Sequence, residues 1–227
     1  ALSPTTALPP HLANHTAAWF TPLTPAVHSP LPANTTLRLP IRLSTASPPT
    51  SLAFVLRHPH PAKYALRIAN VLVAHASSNP EHPPGSIATE TEPVHVTFGS
   101  ESAVAIPPGG AVHSDAIPWP EVAPAGADPS AILVSLFFSS PTPALPQHPS
   151  VHRHYFLAPG NLTLAFAIPT PRYDPPAPGS LLPTLAALIV TQVLAAREGV
   201  AAAAAASRVV VCVGDSITEG SKSSLGA

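Results

Sequence analysis

Methionine is absent from all 227 residues, and cysteine occurs once, at Cys212. A lone thiol excludes an internal disulfide framework and a cysteine-rich zinc site. Its place in an apolar run points to a buried, inert side chain. Without a methionine at position 1, Ala1 is expected to begin a processed mature chain or a cut fragment, and no signal peptide is read in it. Charge is scarce: Lys and Arg total 10, Asp and Glu 11, and together they make 9% of the chain, against about 25% in an average soluble domain. So even a balance leaves no basic stripe to neutralise phosphates, which argues against a nucleic-acid partner. The longest apolar run, Leu181 to Ala196, is interrupted by Pro183, Thr184, Thr191 and Gln192. It falls short of the about 18–20 apolar residues that a bilayer requires, so no membrane span is expected.

Proline is plentiful instead, with 33 residues. Each proline inside a helix would remove a hydrogen bond and clash with the preceding turn, so an all-helical bundle is excluded and a mainly β fold is expected. Twelve histidines would carry the formal charge from −1 to +11 on full protonation, so the surface should turn cationic below about pH 6. Short β-rich segments bounded by Pro, Gly, Asn and Ser occupy the first 170 residues. Candidate strands are Thr36–Leu43, Leu52–Arg57, Tyr64–Ala74, Val94–Phe98, Ser102–Ile106, Ile132–Phe138 and Leu162–Ile168. From Thr36 to Leu43 the odd positions are apolar and the even ones polar or proline, the pattern of a sheet with one buried and one wet face. Pro107-Pro108-Gly109-Gly110 reads as a turn whose glycines can take positive φ. Beyond residue 170, Ser180 as N-cap, Pro183 in the first turn, Arg197 in the last and Gly199 as the stop predict a helix.

Asn14-His15-Thr16, Asn34-Thr35-Thr36 and Asn161-Leu162-Thr163 are sequons with non-proline middle residues, suited to a secreted glycoprotein. Glycans would also explain how a weakly charged surface stays soluble. Other polar residues have plainer readings. His58-Pro59-His60 and His152-Arg153-His154 could each set two imidazoles on one strand face, but no third metal ligand accompanies them. Asp115 could meet a sugar hydroxyl, although a turn-stabilising role suits it better. Trp19, Trp119, Tyr155 and Tyr173 could stack on a glycan ring, and core packing is the expected alternative.

Chemistry appears in the segment Ser207 to Gly220. Val209-Val210-Val211-Cys212-Val213 is a continuous apolar run, as expected of a central parallel strand covered on both faces. At its carboxyl end the chain turns through Gly214 and presents Asp215 and Ser216, where open α/β sheets place their ligands. Free N–H groups at such a turn could receive the charge of an acyl oxygen. Ser216 is therefore a candidate nucleophile.

The block Val213-Gly214-Asp215-Ser216-Ile217-Thr218-Glu219-Gly220 resembles the first signature block of the SGNH, or GDSL-type, hydrolases. The resemblance implies that Ser216 is the catalytic nucleophile and that its amide donates to the oxyanion hole, with Gly214 and Asp215 shaping the turn. Upstream, Asn34-Thr35-Thr36-Leu37-Arg38, Ala65 to Asn70, Val96 to Gly99, Ile106 to Asp115 and Ile132 to Phe137 resemble the β-sandwich domain that precedes the hydrolase domain in some members. The resemblance implies a jelly-roll-like sandwich over residues 1–170, a Pro/Ala-rich linker and helix over 171–206, and the incomplete start of a flavodoxin-like α/β domain over 207–227. It also implies an ester or acylated-carbohydrate substrate, no cofactor and no metal. The family further needs a late Asp-x-x-His block, yet none of Asp115, Asp128, Asp174 and Asp215 has a histidine three residues on. A serine without its base is a poor nucleophile, so this chain alone is expected to show little or no esterase activity. A non-catalytic β-sandwich module that binds carbohydrate or a protein partner is the alternative reading.

Overall fold

A computed structural model describes residues 8–20, 27–29, 31–45, 47–58, 64–77, 87–129, 131–142, 145–147, 156–165, 167–168 and 190–196. A 3-10 turn, Pro10–Leu12, precedes β1 (His15–Phe20), β2 (Val27–Ser29), β3 (Thr35–Arg42) and β4 (Ser51–Arg57). Then come β5 (Leu66–Ile68), β6 (Asn70–His75), β7 (Ile87–Ala88), β8 (Val94–His95), β9 (Val104–Ile106), β10 (Ala111–His113) and β11 (Ile117–Pro118). One short helix, α1 (Trp119–Val122), leads to β12 (Ala131–Phe138), β13 (Leu145–Gln147), β14 (Phe156–Pro159), β15 (Ala167–Ile168) and β16 (Val190–Ala196). The fold is mainly β, and every strand pairing among the described residues is antiparallel. Among the described residues no helix is long and apolar enough to cross a membrane.

Two five-stranded sheets dominate. The first runs β1-β16-β4-β10, with β11 also on β4, and the second runs β14-β3-β12-β6-β8. Alternation explains how they meet. Leu37, Leu39 and Ile41 of β3 and Val134 and Leu136 of β12 join one buried cluster with Leu52, Phe54 and Leu56 of β4 and Val193 and Ala195 of β16. Since successive side chains in a strand point to opposite faces, these alternate positions all face inward between the two sheets. Full burial of each large aliphatic side chain contributes about 1.5–3 kcal/mol before the cost of ordering the chain.

Several expected strands appear nearly as read, as Thr35–Arg42, Ser51–Arg57 and Ala131–Phe138. The stretch Tyr64–Ala74 divides at Ala69. Its first part pairs with β9 and its second with β12 and β8. In the Pro107–Gly110 turn, the Gly110 N–H donates to the Pro107 carbonyl at 2.9 Å and Gly109 takes φ 69°. Proline at the second position and a positive-φ glycine at the third make this a type II turn.

Three expectations are corrected. Val190–Ala196, read as the second half of a helix and assigned to the linker over 171–206, is a strand between β1 and β4, paired on both sides. It belongs with the first sheet, whose core it completes. Two neighbouring ladders outweigh the helix preference of Leu194, Ala195 and Ala196, as tertiary context commonly does. Ser180, Pro183, Arg197 and Gly199, on which the helix reading rested, lie outside the described residues. Residues 162–165, read as the start of the strand Leu162–Ile168, form a turn closed by the Ala165 N–H on the Leu162 carbonyl at 3.1 Å. Finally, the even-numbered face of β3 is wet only at its end: Thr36 and Arg38 are both 0% exposed, whereas Pro40 is half-buried and Arg42 exposed.

Candidate functional site

Gly214, Asp215 and Ser216 lie outside the described residues, as do Cys212, His60, His152, His154, Tyr155 and Tyr173. Trp19 lies in β1, and its side chain is likewise outside the described part. Four polar constellations are placed, and each can be judged by what its groups have left to offer a ligand.

The first surrounds Asp115. Its carboxylate accepts the Thr97 hydroxyl at 2.6 Å, the Gly99 N–H at 3.1 Å and the Ser100 N–H at 2.9 Å. Gly99 and Ser100 both have positive φ, 62° and 73°, which aims consecutive N–H groups at one anion. The Thr97 hydroxyl bond and then the Ser100 amide hold the carboxyl below its ordinary range. Both oxygens are therefore engaged within the loop, which suits the turn-stabilising reading and leaves little for a sugar hydroxyl. Ser114 alongside is buried, and its hydroxyl accepts the Phe54 N–H at 2.8 Å, extending the β4 ladder beyond β10.

The second lies on the outer face of the first sheet. Leu12 from the 3-10 turn packs with Ala53, Val55 and Leu194 in a small apolar cluster. His15 stands beside it, with Nε2 at 3.1 Å from the Ser51 hydroxyl. Burial, and then the charge of His11, lowers the pKa of His15, and the same two causes lower that of His113. A neutral imidazole next to a serine hydroxyl supplies the nucleophile and base of a triad. The third member is missing, because His15 Nδ1 is buried with no hydrogen-bond partner among the described residues. Among the described residues no group orients the ring as a carboxylate would in a catalytic triad.

His75 forms the third. Its Nδ1 lies 2.7 Å from Glu90 Oε2 and its Nε2 2.7 Å from the Asp128 carbonyl. Trp119 is buried and meets the ring edge-on, with centroids 6.5 Å apart. Core packing, rather than glycan stacking, is thus the role of Trp119. His58 is also buried, and its Nε2 lies 3.2 Å from the Tyr64 carbonyl. Among the described residues no group of three or more His, Cys, Asp or Glu is arranged to hold a metal ion.

The fourth centres on Arg38, which sequence reasoning placed on a wet face. Its Nε donates to the Ser135 hydroxyl at 2.8 Å, and its Nη2 donates to the carbonyls of Leu162, Thr163 and Ala165 at 3.3, 3.4 and 2.7 Å. Burial lowers the guanidinium pKa to about 10, leaving it charged at neutral pH. The planar fork suits convergent carbonyls, so Arg38 acts as a clamp on the loop that carries Asn161. The clue in the sequence was an arginine and a serine, Arg38 and Ser135, at polar positions of two apolar strands. All three candidate glycosylation asparagines, Asn14, Asn34 and Asn161, are exposed.

Comparison with known proteins returned neither a family model nor a curated protein that matches this chain.

Proposed function

We propose that the chain carries the nucleophile-bearing opening of an SGNH, or GDSL-type, serine hydrolase, preceded by a jelly-roll-like β-sandwich. The hydrolase would be secreted and would act on ester or acylated-carbohydrate substrates. The observation that carries this reading is the block Val213 to Gly220, set directly after the apolar run Val209 to Val213. Two antiparallel sheets over a common core, built by residues upstream of that block, support the accessory-domain part of it.

In the proposed reaction Ser216 Oγ attacks an ester carbonyl while a histidine base, which no Asp-x-x-His in these residues supplies, takes its proton. Backbone N–H groups at the turn hold the oxyanion, the alcohol leaves with the proton, and water then releases the acid from the serine ester. Gly214 and Asp215 shape the turn. The test is hydrolysis of p-nitrophenyl acyl esters, first by this chain and then by the chain with the sequence that follows it in its own gene. The chain alone should be silent, and the extended protein should turn over substrate and lose at least about a hundredfold in rate with Ser216→Ala. Equal activity of that variant would overturn the assignment of Ser216.

A second reading, a non-catalytic module that binds carbohydrate or a protein, is favoured by one observation. Among the described residues one buried cluster extends from Ala18 to Ala195 and joins both five-stranded sheets, the core expected of a self-contained sandwich. Silence of the extended protein would favour it.

A further inference from the structure

The three sequons differ once the chain is folded. Asn34 and Asn161 meet at one corner of the second sheet. Beyond the registered pair Thr35 and Pro159, the Gly160 N–H donates to the Asn34 carbonyl at 2.7 Å. This bond brings the chain entering Asn161 alongside Asn34, which has φ 55°. Both asparagines are exposed.

Their hydroxyl partners are not. Thr36 is 0% exposed and Thr163 1%. The Thr36 hydroxyl donates to the Gly160 carbonyl at 2.6 Å and accepts the Leu162 N–H at 2.9 Å. The hydroxyl of one sequon thus ties down both residues flanking the acceptor of the other. Thr163 turns its hydroxyl onto Asn161 Oδ1 at 2.7 Å, and Arg38 holds the carbonyls of Leu162, Thr163 and Ala165 from beneath. Asn14 offers a contrast, because Thr16 is only half-buried and its hydroxyl lies 3.4 Å from the Ala195 carbonyl.

A sequon admits only Ser or Thr at its third position, so the hydroxyl is what a glycosyl transferase must read. We infer that Asn34 and Asn161 form a single glycan-bearing corner that accepts sugar only before β3 and β14 close upon each other, whereas Asn14 remains an acceptor afterwards. This rests on the secreted reading above. In the step itself, the asparagine amide nitrogen attacks the anomeric carbon of a lipid-pyrophosphate-linked oligosaccharide. The new C–N bond forms as the C–O bond to pyrophosphate breaks. The lipid pyrophosphate leaves with the electron pair, and one amide proton passes to a base of the transferase.

The experiment uses the full chain made without glycans in bacterial cytosol, a purified N-glycosyl transferase and its lipid-linked donor. Peptides spanning residues 9–20, 29–40 and 157–167 serve as open-chain references. Occupancy at each asparagine is followed by mass spectrometry. All three peptides should accept sugar. In the folded chain Asn34 and Asn161 should react about tenfold more slowly than their peptides, or slower still, as sites reached only through local opening do. Asn14 should stay within about threefold of its peptide. Peptide-like rates at Asn34 or Asn161 in the folded chain would overturn the inference, as would peptides for those sites that take no sugar. Failure of the secreted reading has a separate signature: a chain isolated from its own cells bare of glycan, with these rates unchanged.

Discussion

The two large sheets present the same kind of inner face and differ in how the outer one is sealed. Inside, both offer aliphatic residues at alternate positions to one core. Outside, the second sheet carries a polar seal, with Thr36 and Arg38 bonded to the loop over 160–165 and Ser135 bonded to Arg38, next to the buried Leu72, Ala74 and Leu133. The first sheet is sealed by a four-residue apolar cluster under the 3-10 turn, with His15 and Ser51 at its margin. A buried polar seal depends on complete satisfaction, since each unpaired group costs about 1–3 kcal/mol. An apolar seal degrades gradually with the contact removed.

That contrast can be broken most sharply at Arg38. Arg38→Met keeps the length of the side chain but removes the donor from the Thr163 and Ala165 carbonyls and the Ser135 hydroxyl, and leaves the Leu162 carbonyl with the Ala165 N–H alone. A loss of about 3–4 kcal/mol is expected, measured as a shift of the urea midpoint at unchanged slope. A loss below about 1 kcal/mol would mean that water replaces the guanidinium at little cost and that the seal is not polar in effect. On the other sheet, Leu194→Ala should cost about 2–3 kcal/mol by the same urea measurement, near the lower end for buried leucines because its cluster is small.

The smallest effect separates the two faces by pH. Burial holds the pKa of His15 below 6.5 in the folded chain, so between 6.5 and that lower value the unfolded state binds more protons. Stability is then fully present above pH 6.5 and falls as pH drops through this window, by at most about 1.4 kcal/mol per pH unit for one such group. His113 acts in the same direction, and His11 and the Ser51 hydroxyl are the groups that face His15. Thermal melts between pH 7.5 and 5.5 should show the fall, and His15→Gln should make it shallower. An unchanged slope would place the acid sensitivity elsewhere.

Legibility in the sequence followed the range of the interactions. Leu37, Leu39 and Ile41 announced their common face because alternation is a local pattern. Asp115 was legible as a turn-stabilising residue by its type, but its partners at 97–100 were not, since they lie 15 to 18 residues back, across β9 and β10. Arg38 was not, because the carbonyls that bury it lie 124 to 127 residues further along the chain. The sequons were visible as triplets, yet nothing local showed that two of them would close on each other. For Gly214, Asp215 and Ser216 the reading rests on sequence alone.

By itself, then, the sequence determined the mainly β character, through a proline load that helices cannot carry, and the inward faces of the principal strands, through their two-residue period. It also determined the Pro107–Gly110 turn, where proline restricts φ and glycine permits its positive value. Tertiary structure decided that Val190–Ala196 is a strand, since strands distant in the chain offered hydrogen bonds on both of its edges. It decided as well that Arg38 is buried, because a strand's own pattern specifies which side is apolar but not what will cover the other side.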